Sequence, residues 1–242
     1  MTRTISTIAI VLLAGACHFG GEARETRDAG PVAERRYQVG AFDRIAVAGP
    51  YEVTVTSGGQ PGVVARGGEA VLAETEVVVE GGVLKIGPRK KDGIRWNWGK
   101  DGKVRVEVSG AALRGAEIAG SGGVRIDRVA GSEFKGEVAG SGDLSIAAVE
   151  AGAVEFSIAG SGNVQAAGKA QRVEVNIAGS GDVDLGALAA TTAEVSIAGS
   201  GNVSARATGT ADVSIMGSGD VAISGGAKCN VSKAGSGKVT CS

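Results

Sequence analysis

Acidic side chains recur in the second half of the chain at intervals of 18 to 20 residues. The members are Glu155, Glu174, Glu194 and Asp212, followed by Asn230. If they lie in neighbouring strands, the four carboxylates form a row that could collect a divalent cation or a basic partner. A solvated acidic face that opposes edge-to-edge aggregation is the alternative, and we favour it because exposed charge is usual on protein surfaces. The four carboxylates remain a candidate binding surface.

A second polar series follows a repeated Gly-Ser-Gly sequence and alternates acid with amide: Asp143, Asn163, Asp182, Asn202 and Asp220. Stacked carboxylates would repel one another, and the interleaved asparagines relieve that repulsion and allow an amide–carboxylate ladder. Both residue types also suit tight turns. Calcium-binding β-rolls share the Gly and Asp pattern, but with a nonapeptide period. We therefore favour a turn ladder, and a calcium site is the alternative.

The composition excludes several classes of function. The single histidine, His18, lies close to the N-terminus. Ser-His-Asp or Cys-His catalysis and zinc sites of mixed His type need a histidine within the folded domain. The formal net charge of −1 lacks the basic excess of a nucleic-acid binder. We expect no cofactor, no nucleic-acid partner and no enzyme activity, and the alternative is a polysaccharide-acting enzyme that uses surface carboxylates.

The N-terminus has the features of an export signal. Residues 1–16 contain Arg3, then an apolar run, and end in a small-residue cleavage site at Ala14 and Ala16. The segment before Cys17 resembles a bacterial lipobox, which implies a lipidated Cys17; an ordinary thiol after plain cleavage is the alternative. By resemblance to enterobacterial sorting, His18 in the next position implies the outer membrane, facing the periplasm or the surface. Residues 17–36 are predicted to be the lipidated Cys and a flexible charged tether.

The other two cysteines are Cys229 and Cys241. With Cys17 lipidated, they form an even pair in an oxidising compartment. We predict a disulfide that staples the terminal coil. A redox pair is the alternative, but their spacing lacks the Cys-x-x-Cys arrangement.

Two tryptophans, Trp96 and Trp98, lie in a charged insertion at residues 89–102. If exposed, they could stack on a sugar or a protein partner, and they are a candidate binding surface. If buried, they close one end of the fold, which we favour because the few aromatics of a small core are usually buried.

A repeat of about 19 residues predicts the architecture. The first glycine of the motif occurs at Gly120, Gly140, Gly160, Gly179, Gly199, Gly217 and Gly235. Each period contains two short runs of alternating aliphatic residues, which indicate half-buried strands, and has no room for a helical crossover. We predict an all-β, parallel β-helix or β-solenoid with coils of about 19 residues, stacked about 4.8 Å apart.

Residues 37–116 have less regular alternating runs and are predicted to be a strand-rich N-terminal part, before the repetitive solenoid and its cap at 117–242. The chain resembles the bacterial auto-transporter adhesin "head GIN" domain family in the order of its strand segments. These are residues 39–47, 49–55, 82–86 and 104–108, which lead to Leu113 and to Ile118-Ala119-Gly120-Ser121-Gly122. The resemblance spans about residues 38 to 239. It implies an exported lipoprotein or envelope protein with a right-handed β-helical fold and carries over no catalytic residues.

The combined expectation is a non-catalytic cell-envelope lipoprotein in which a rigid β-solenoid acts as an adhesin-like binding or scaffold module. Its expected partners are the membrane, through a lipid anchor, and a glycan or an envelope protein. Self-association through the ends of the solenoid is a further possibility. A purely structural envelope protein is the remaining alternative.

Overall fold

Short runs of alternating aliphatic and polar residues form strands along almost the whole described chain. The computed structural model of the protein describes residues 28–89, 102–110 and 112–242. The N-terminal part contains β1 (Val32–Tyr37), β2 (Arg44–Ala48), β3 (Tyr51–Thr56), β4 (Gly62–Gly68), α1 (Glu69–Ala73), β5 (Thr75–Glu80), β6 (Val83–Pro88), β7 (Val104–Ser109) and β8 (Gly115–Gly120). Three of its strand pairs are antiparallel, β1 with β4, β4 with β7 and β5 with β6, so this part is less regular than the rest.

The repeats form a parallel β-solenoid, which confirms the predicted fold class. Its strands are β9 (Gly123–Gly140), β10 (Asp143–Gly160), β11 (Asn163–Gly179), β12 (Val183–Gly199), β13 (Val203–Gly217), β14 (Val221–Ser224), β15 (Lys228–Ala234) and β16 (Val239–Cys241). The two halves of each long strand lie on different faces of the solenoid. For example, β14 pairs with the first half of β13, and β15 pairs with its second half. Motif glycines pair with one another from coil to coil, so equivalent residues form columns along the solenoid.

Aliphatic columns fill the narrow interior. Val175, Val195 and Val213 are consecutive members of one inward column, and each is at most 2% exposed. The early coils hold the larger rings, where Phe134 and Phe156 meet edge to face at 6.4 Å. Small and branched side chains therefore fill a space that would not accept many aromatics, which accounts for the aromatic share of 3%.

The two glycines of each corner have different roles. Gly179 has φ of 139°, a conformation that residues with a Cβ rarely adopt. Gly181 does not have a positive φ, but a Cβ there would collide with the carbonyl oxygen of Gly162 in the preceding coil. The first glycine permits the turn, and the second lets the backbones of successive coils approach closely.

One boundary predicted from sequence is wrong, because the end of the charged tether is a strand. Residues 32–36, assigned to the flexible segment 17–36, belong to β1 and pair antiparallel with β4. Their charged side chains contact β4 and α1. Glu34 accepts a hydrogen bond from Arg66 at 2.9 Å, and Arg35 donates to the carbonyl oxygen of Leu72 at 3.2 Å. Backbone pairing with β4, together with these side-chain contacts, thus orders a segment that has no hydrophobic periodicity.

Candidate functional site

The structure brings the four predicted carboxylates into one row on the outer face of the solenoid. Glu155 pairs with Glu174, Glu174 with Glu194, and Glu194 with Asp212, so the row has one carboxylate per coil. Neighbouring strands lie about 4.8 Å apart, so each carboxylate is close to the next. We call this row, Glu155, Glu174, Glu194 and Asp212, the acidic column.

Short polar side chains brace the acidic column. Asn176 donates to Glu174 at 2.9 Å, and Asn230 donates to Asp212 at 2.8 Å. Ser157 donates a longer bond of 3.5 Å to Glu155. The adjoining row beyond Asn176 consists of serines, Ser196, Ser214 and Ser232. The face therefore has carboxylates beside hydroxyl and amide groups, a surface that can accept hydrogen bonds and attract cations.

A lysine neutralises one end of the acidic column. Lys135 occupies the equivalent position in the preceding coil and lies 2.9 Å from Glu137 and 3.2 Å from Glu155. Its hydrogen bond to Glu137, followed by that to Glu155, raises the pKa of the Lys135 ammonium above its ordinary value. The charge along this face thus changes from positive at Lys135 to negative over the next four coils.

Lys135 also borders a cleft of about 540 Å³ that sequence reasoning missed. Arg44, Arg114 and Arg172 line it together with Glu133 and Glu174. Arg44 and Arg114 both interact with Asp43, at 3.8 and 3.2 Å. The register could have revealed Lys135, because it precedes Glu155 by one coil, but Arg44 and Arg114 come from the irregular part, where no repeat signals the alignment.

The Asp/Asn series forms a hydrogen-bonded ladder at one corner of the solenoid. Asn163 donates to Asp143 at 2.8 Å, and the Asn202 side chain and backbone both donate to Asp182 at 2.9 Å. The backbone N–H of Asp220 continues the ladder by donating to Asn202 at 3.1 Å. The carboxylates thus accept hydrogen bonds within the fold. Asp182 and Asp220 border an open groove of about 660 Å³.

Among residues 28–89, 102–110 and 112–242, no group of three or more His, Cys, Asp or Glu side chains is arranged to hold a metal ion. The carboxylates of the acidic column lie in a single row, so they do not converge on one point as ligands of a cation do.

The disulfide between Cys229 and Cys241 is present, as predicted. It joins β15 to β16 with an S–S distance of 2.14 Å and links the two faces of the last coil. Three other predicted site residues, Cys17, Trp96 and Trp98, lie outside the described residues, as do the predicted signal peptide and the start of the tether.

The sequence profile of one protein family matches residues 41–227, more than half of the chain, and that family is described as "Putative auto-transporter adhesin, head GIN domain". The chain belongs to this family. The match confirms the resemblance inferred from the sequence. Among curated proteins, none matches the chain.

Solved structures share the fold of this head GIN domain. A protein of Bacteroides fragilis described as a putative adhesin has a TM-score of 0.78 at 22% identity, covering 88% of this chain and 97% of its own. A protein of Parabacteroides distasonis described as a putative lipid binding protein has a TM-score of 0.70 at 24% identity, with coverage of 88% and 97%. A putative adhesin of Parabacteroides merdae has a TM-score of 0.67 at 17% identity, with coverage of 89% and 98%. At these identities the likeness shows the fold alone.

The head GIN family and the solenoid are consistent with a binding or scaffold role at the cell envelope. No helix within the described part of the chain has the length and hydrophobicity needed to cross a membrane.

Proposed function

We propose that the protein is a non-catalytic cell-envelope lipoprotein whose rigid β-solenoid binds an extended partner along the acidic column. The observation that carries the proposal is the register of Glu155, Glu174, Glu194 and Asp212, which places four carboxylates in line on one outer face. The adhesin description of the family supports a binding or scaffold role.

The row favours a partner that is extended and carries cationic groups. Each neighbouring pair of carboxylates repels by about 1 kcal/mol or less in water, and a cationic partner relieves that repulsion on binding. Among the four members of the acidic column, Lys135 contacts Glu155 alone, so it leaves the other three to such a partner. A basic segment of an envelope protein or an amine-bearing glycan has this chemistry.

The proposed binding predicts a specific loss in a charge-neutral variant. Glu174→Gln combined with Glu194→Gln removes two adjacent carboxylates and keeps the side-chain shape. We expect an extended oligolysine peptide, used as the probe, to bind the wild-type protein in a salt-dependent manner and to bind the variant at least about tenfold more weakly, a change of about 1.4 kcal/mol. Isothermal titration calorimetry at two salt concentrations measures both effects.

The matched control is Glu69→Gln combined with Glu76→Gln, which removes two exposed carboxylates from the N-terminal part. It should bind the probe like wild type. If both double variants bind the probe equally weakly, the loss reflects net charge and not the acidic column. If the wild-type protein binds neither the peptide nor an array of amine-bearing glycans, a purely structural role remains.

A lipid anchor at Cys17 completes the proposal. The apolar segment and small residues before Cys17 support export and lipidation, and residues 18–31 would then separate the anchor from β1. This arrangement would hold the solenoid close to the outer membrane, facing the periplasm or the surface.

Replacement of Cys17 tests the anchor directly. We expect the wild-type protein to incorporate an alkyne-tagged fatty acid in cells and to sediment with membranes, whereas Cys17→Ser should lose the label and become soluble after cell lysis. Cys229→Ser with Cys241→Ser, which leaves Cys17 intact, should keep the label. Labelling of the Cys17→Ser protein would contradict the assignment.

The geometry does not favour the polysaccharide-acting enzyme. Glycoside hydrolysis requires two carboxyl groups that flank the scissile bond from different sides. The members of the acidic column point outward from one face in a single row, which suits binding along the face rather than attack from two sides.

A further inference from the structure

A row of hydroxyl groups lies beside the acidic column and is not engaged by the fold. Ser196, Ser214 and Ser232 pair with one another from coil to coil, and we call them the serine row. They are exposed, and their hydroxyls have no hydrogen-bond partner within the described part of the chain. Glu194, two residues before Ser196, is also exposed and has neither a hydrogen bond nor an ion pair with any described residue. These groups are therefore available to a ligand.

A groove of about 340 Å³ separates the two rows in the last coils of the solenoid. Glu194 and Asp212 line one side, and the serine row lines the other. The inward valine column forms the floor, and its last member, Val231, is 48% exposed because no strand of the described residues pairs with the outer edge of β15. The groove thus presents charged, hydroxyl and apolar surfaces side by side.

The spacing of the two rows distinguishes between a peptide and a polysaccharide. Both rows repeat once per coil, at about 4.8 Å, whereas an extended peptide turns its side chains to the same side every second residue, about 6.6 Å apart. A peptide lying across these strands would also find no strand edge to join, because β12, β13 and β15 already pair with one another. An extended chain of pyranose sugars repeats its rings at nearly the coil spacing, so it stays in step with the face.

We propose that the extended partner of the acidic column is a linear polymer of aminosugars with free amines, seated in the groove between the acidic column and the serine row. This inference rests on the proposed binding at the acidic column and names the class of partner. Protonated amines lie against the carboxylates of Glu194 and Asp212, and ring hydroxyls exchange hydrogen bonds with Ser196 and Ser214, whose hydroxyls both donate and accept. A chain whose rings alternate in orientation still keeps step, because two rings span about two coils.

The free amine is the group that selects among polysaccharides. Glu194 has no cation beside it within the described residues, and Asp212 is engaged by the neutral amide of Asn230. An acidic polysaccharide would meet charge of its own sign here. An N-acetylated one would displace water from the carboxylates without supplying a cation in return.

The test compares three probes by isothermal titration calorimetry at pH 6, where the sugar amines are protonated, with Cys17→Ser in every sample to remove a lipid anchor. The probes are the linear hexamer of 1,4-linked glucosamine, the same hexamer with every amine acetylated, and the oligolysine peptide. We expect the glucosamine hexamer to bind and the acetylated hexamer to bind at least about tenfold more weakly, because acetylation keeps the ring hydroxyls and removes the charge.

Removal of the serine hydroxyls separates a sugar site from a site for any cation. In Ser196→Ala with Ser214→Ala, the glucosamine hexamer should bind about tenfold more weakly, because two hydrogen bonds to the rings are lost. Oligolysine, which meets the acidic column alone, should bind this variant like wild type. The matched control is Ser145→Ala with Ser204→Ala, which removes two hydroxyls from the face that carries the Asp/Asn ladder and should leave the binding of both probes unchanged.

The outcomes distinguish this inference from the proposed function on which it rests. If oligolysine binds and the glucosamine hexamer does not, or if the two hexamers bind equally, the aminosugar partner is overturned while binding at the acidic column stands. A glucosamine affinity that is the same in the two double serine variants would also overturn it. If none of the three probes binds the wild-type face, both proposals are overturned.

Discussion

At the scale of single residues, Asp127 ties the turn after β3 to the solenoid. The Ser57 backbone N–H donates to both Asp127 oxygens, at 2.9 and 3.0 Å, and the Ser57 hydroxyl donates at 2.6 Å. Burial raises the pKa of Asp127, but these hydrogen bonds and those from backbone groups outweigh burial and lower the pKa below its ordinary value of 3.8. The charged form is therefore favoured in the folded protein.

This lowered pKa predicts an acid-sensitive contribution to stability. A depressed folded-state pKa gives stability that is fully present above the ordinary value of 3.8 and is lost as the pH falls through the folded value. The wild-type protein should have a higher Tm than Asp127→Asn at pH 6, and the difference should shrink below pH 3.8. Thermal denaturation at a series of pH values measures it, and a difference that grows with acidity would contradict the assignment.

The Asp/Asn ladder gives a second prediction at this scale. The substitution Asn202→Asp places a carboxylate between those of Asp182 and Asp220, and it removes the hydrogen bond from the Asn202 amide to Asp182. Each new like-charge contact costs about 1 kcal/mol at about 4 Å in water, so the free energy of unfolding should fall by about 2 kcal/mol at pH 7. Ser145→Asp is the control, because its column neighbours are Arg125 and Gln165. Urea denaturation of both variants checks the result, and an equal effect would exclude ladder repulsion as the cause.

Residue patterns predicted this ladder but missed the basic group beside the acidic column. The alternation of Asp and Asn at coil spacing required only the repeat. Lys135 lies one coil before Glu155 in the register, so the repeat could have located it, whereas Arg114 lies just before β8 and has no counterpart in the repeat. A charged residue outside the repeat has no periodic pattern, so the residues that lie next to it can be identified only once the strand register is known.

At the scale of elements, the close approach of successive turns sets the identity of the corner residues. A Cβ at Gly181 would meet the carbonyl oxygen of Gly162 and lie 2.8 Å from a methyl carbon of Ile158. Both contacts belong to the preceding coil, and the carbonyl is part of a backbone that is held by strand pairing on either side. The corner therefore cannot relax without separating two coils.

Gly181→Val should consequently destabilise the protein strongly. Overpacking of this kind costs about 1–3 kcal/mol, and we expect the upper end because the obstacle is backbone. Gly40→Val is the control, since no atom lies within 4 Å of a Cβ at that position and its φ is not positive. Guanidinium denaturation should show a much lower midpoint for Gly181→Val and little change for Gly40→Val. A wild-type midpoint for Gly181→Val would contradict close stacking at the corner.

Elements with a repeat were predictable, and those without one were not. The alternating runs around each Gly-Ser-Gly motif gave the strands and stacking of β9 to β13. β1 and α1 escaped prediction for physical reasons. β1 is a charged segment ordered by antiparallel pairing with β4, and α1 has only five residues, of which Val71 and Leu72 are buried. Long-range pairing and burial, rather than local sequence, make these two elements.

At the scale of the whole molecule, the solenoid presents two acidic rows with different roles. The Asp/Asn ladder satisfies its carboxylates internally through amide and backbone donors from neighbouring coils. The acidic column has one carboxylate in every coil from β10 to β13, with Lys135 next to its first member and short polar side chains beside Glu155, Glu174 and Asp212. A stack of parallel coils keeps the spacing of the second row fixed, so the proposed binding of an extended partner would not require the row itself to become ordered.

The most direct measurement is carboxyl footprinting with a carbodiimide and an amine tag, read by mass spectrometry with and without an oligoarginine probe with blocked termini, whose guanidinium groups do not react with the activated carboxyls as lysine amines would. Binding along the acidic column predicts that the probe reduces labelling of Glu174, Glu194 and Asp212, while labelling of Asp182 and Asp220 in the ladder stays unchanged. Equal protection of the two rows, or protection of the ladder alone, would contradict the proposed binding face.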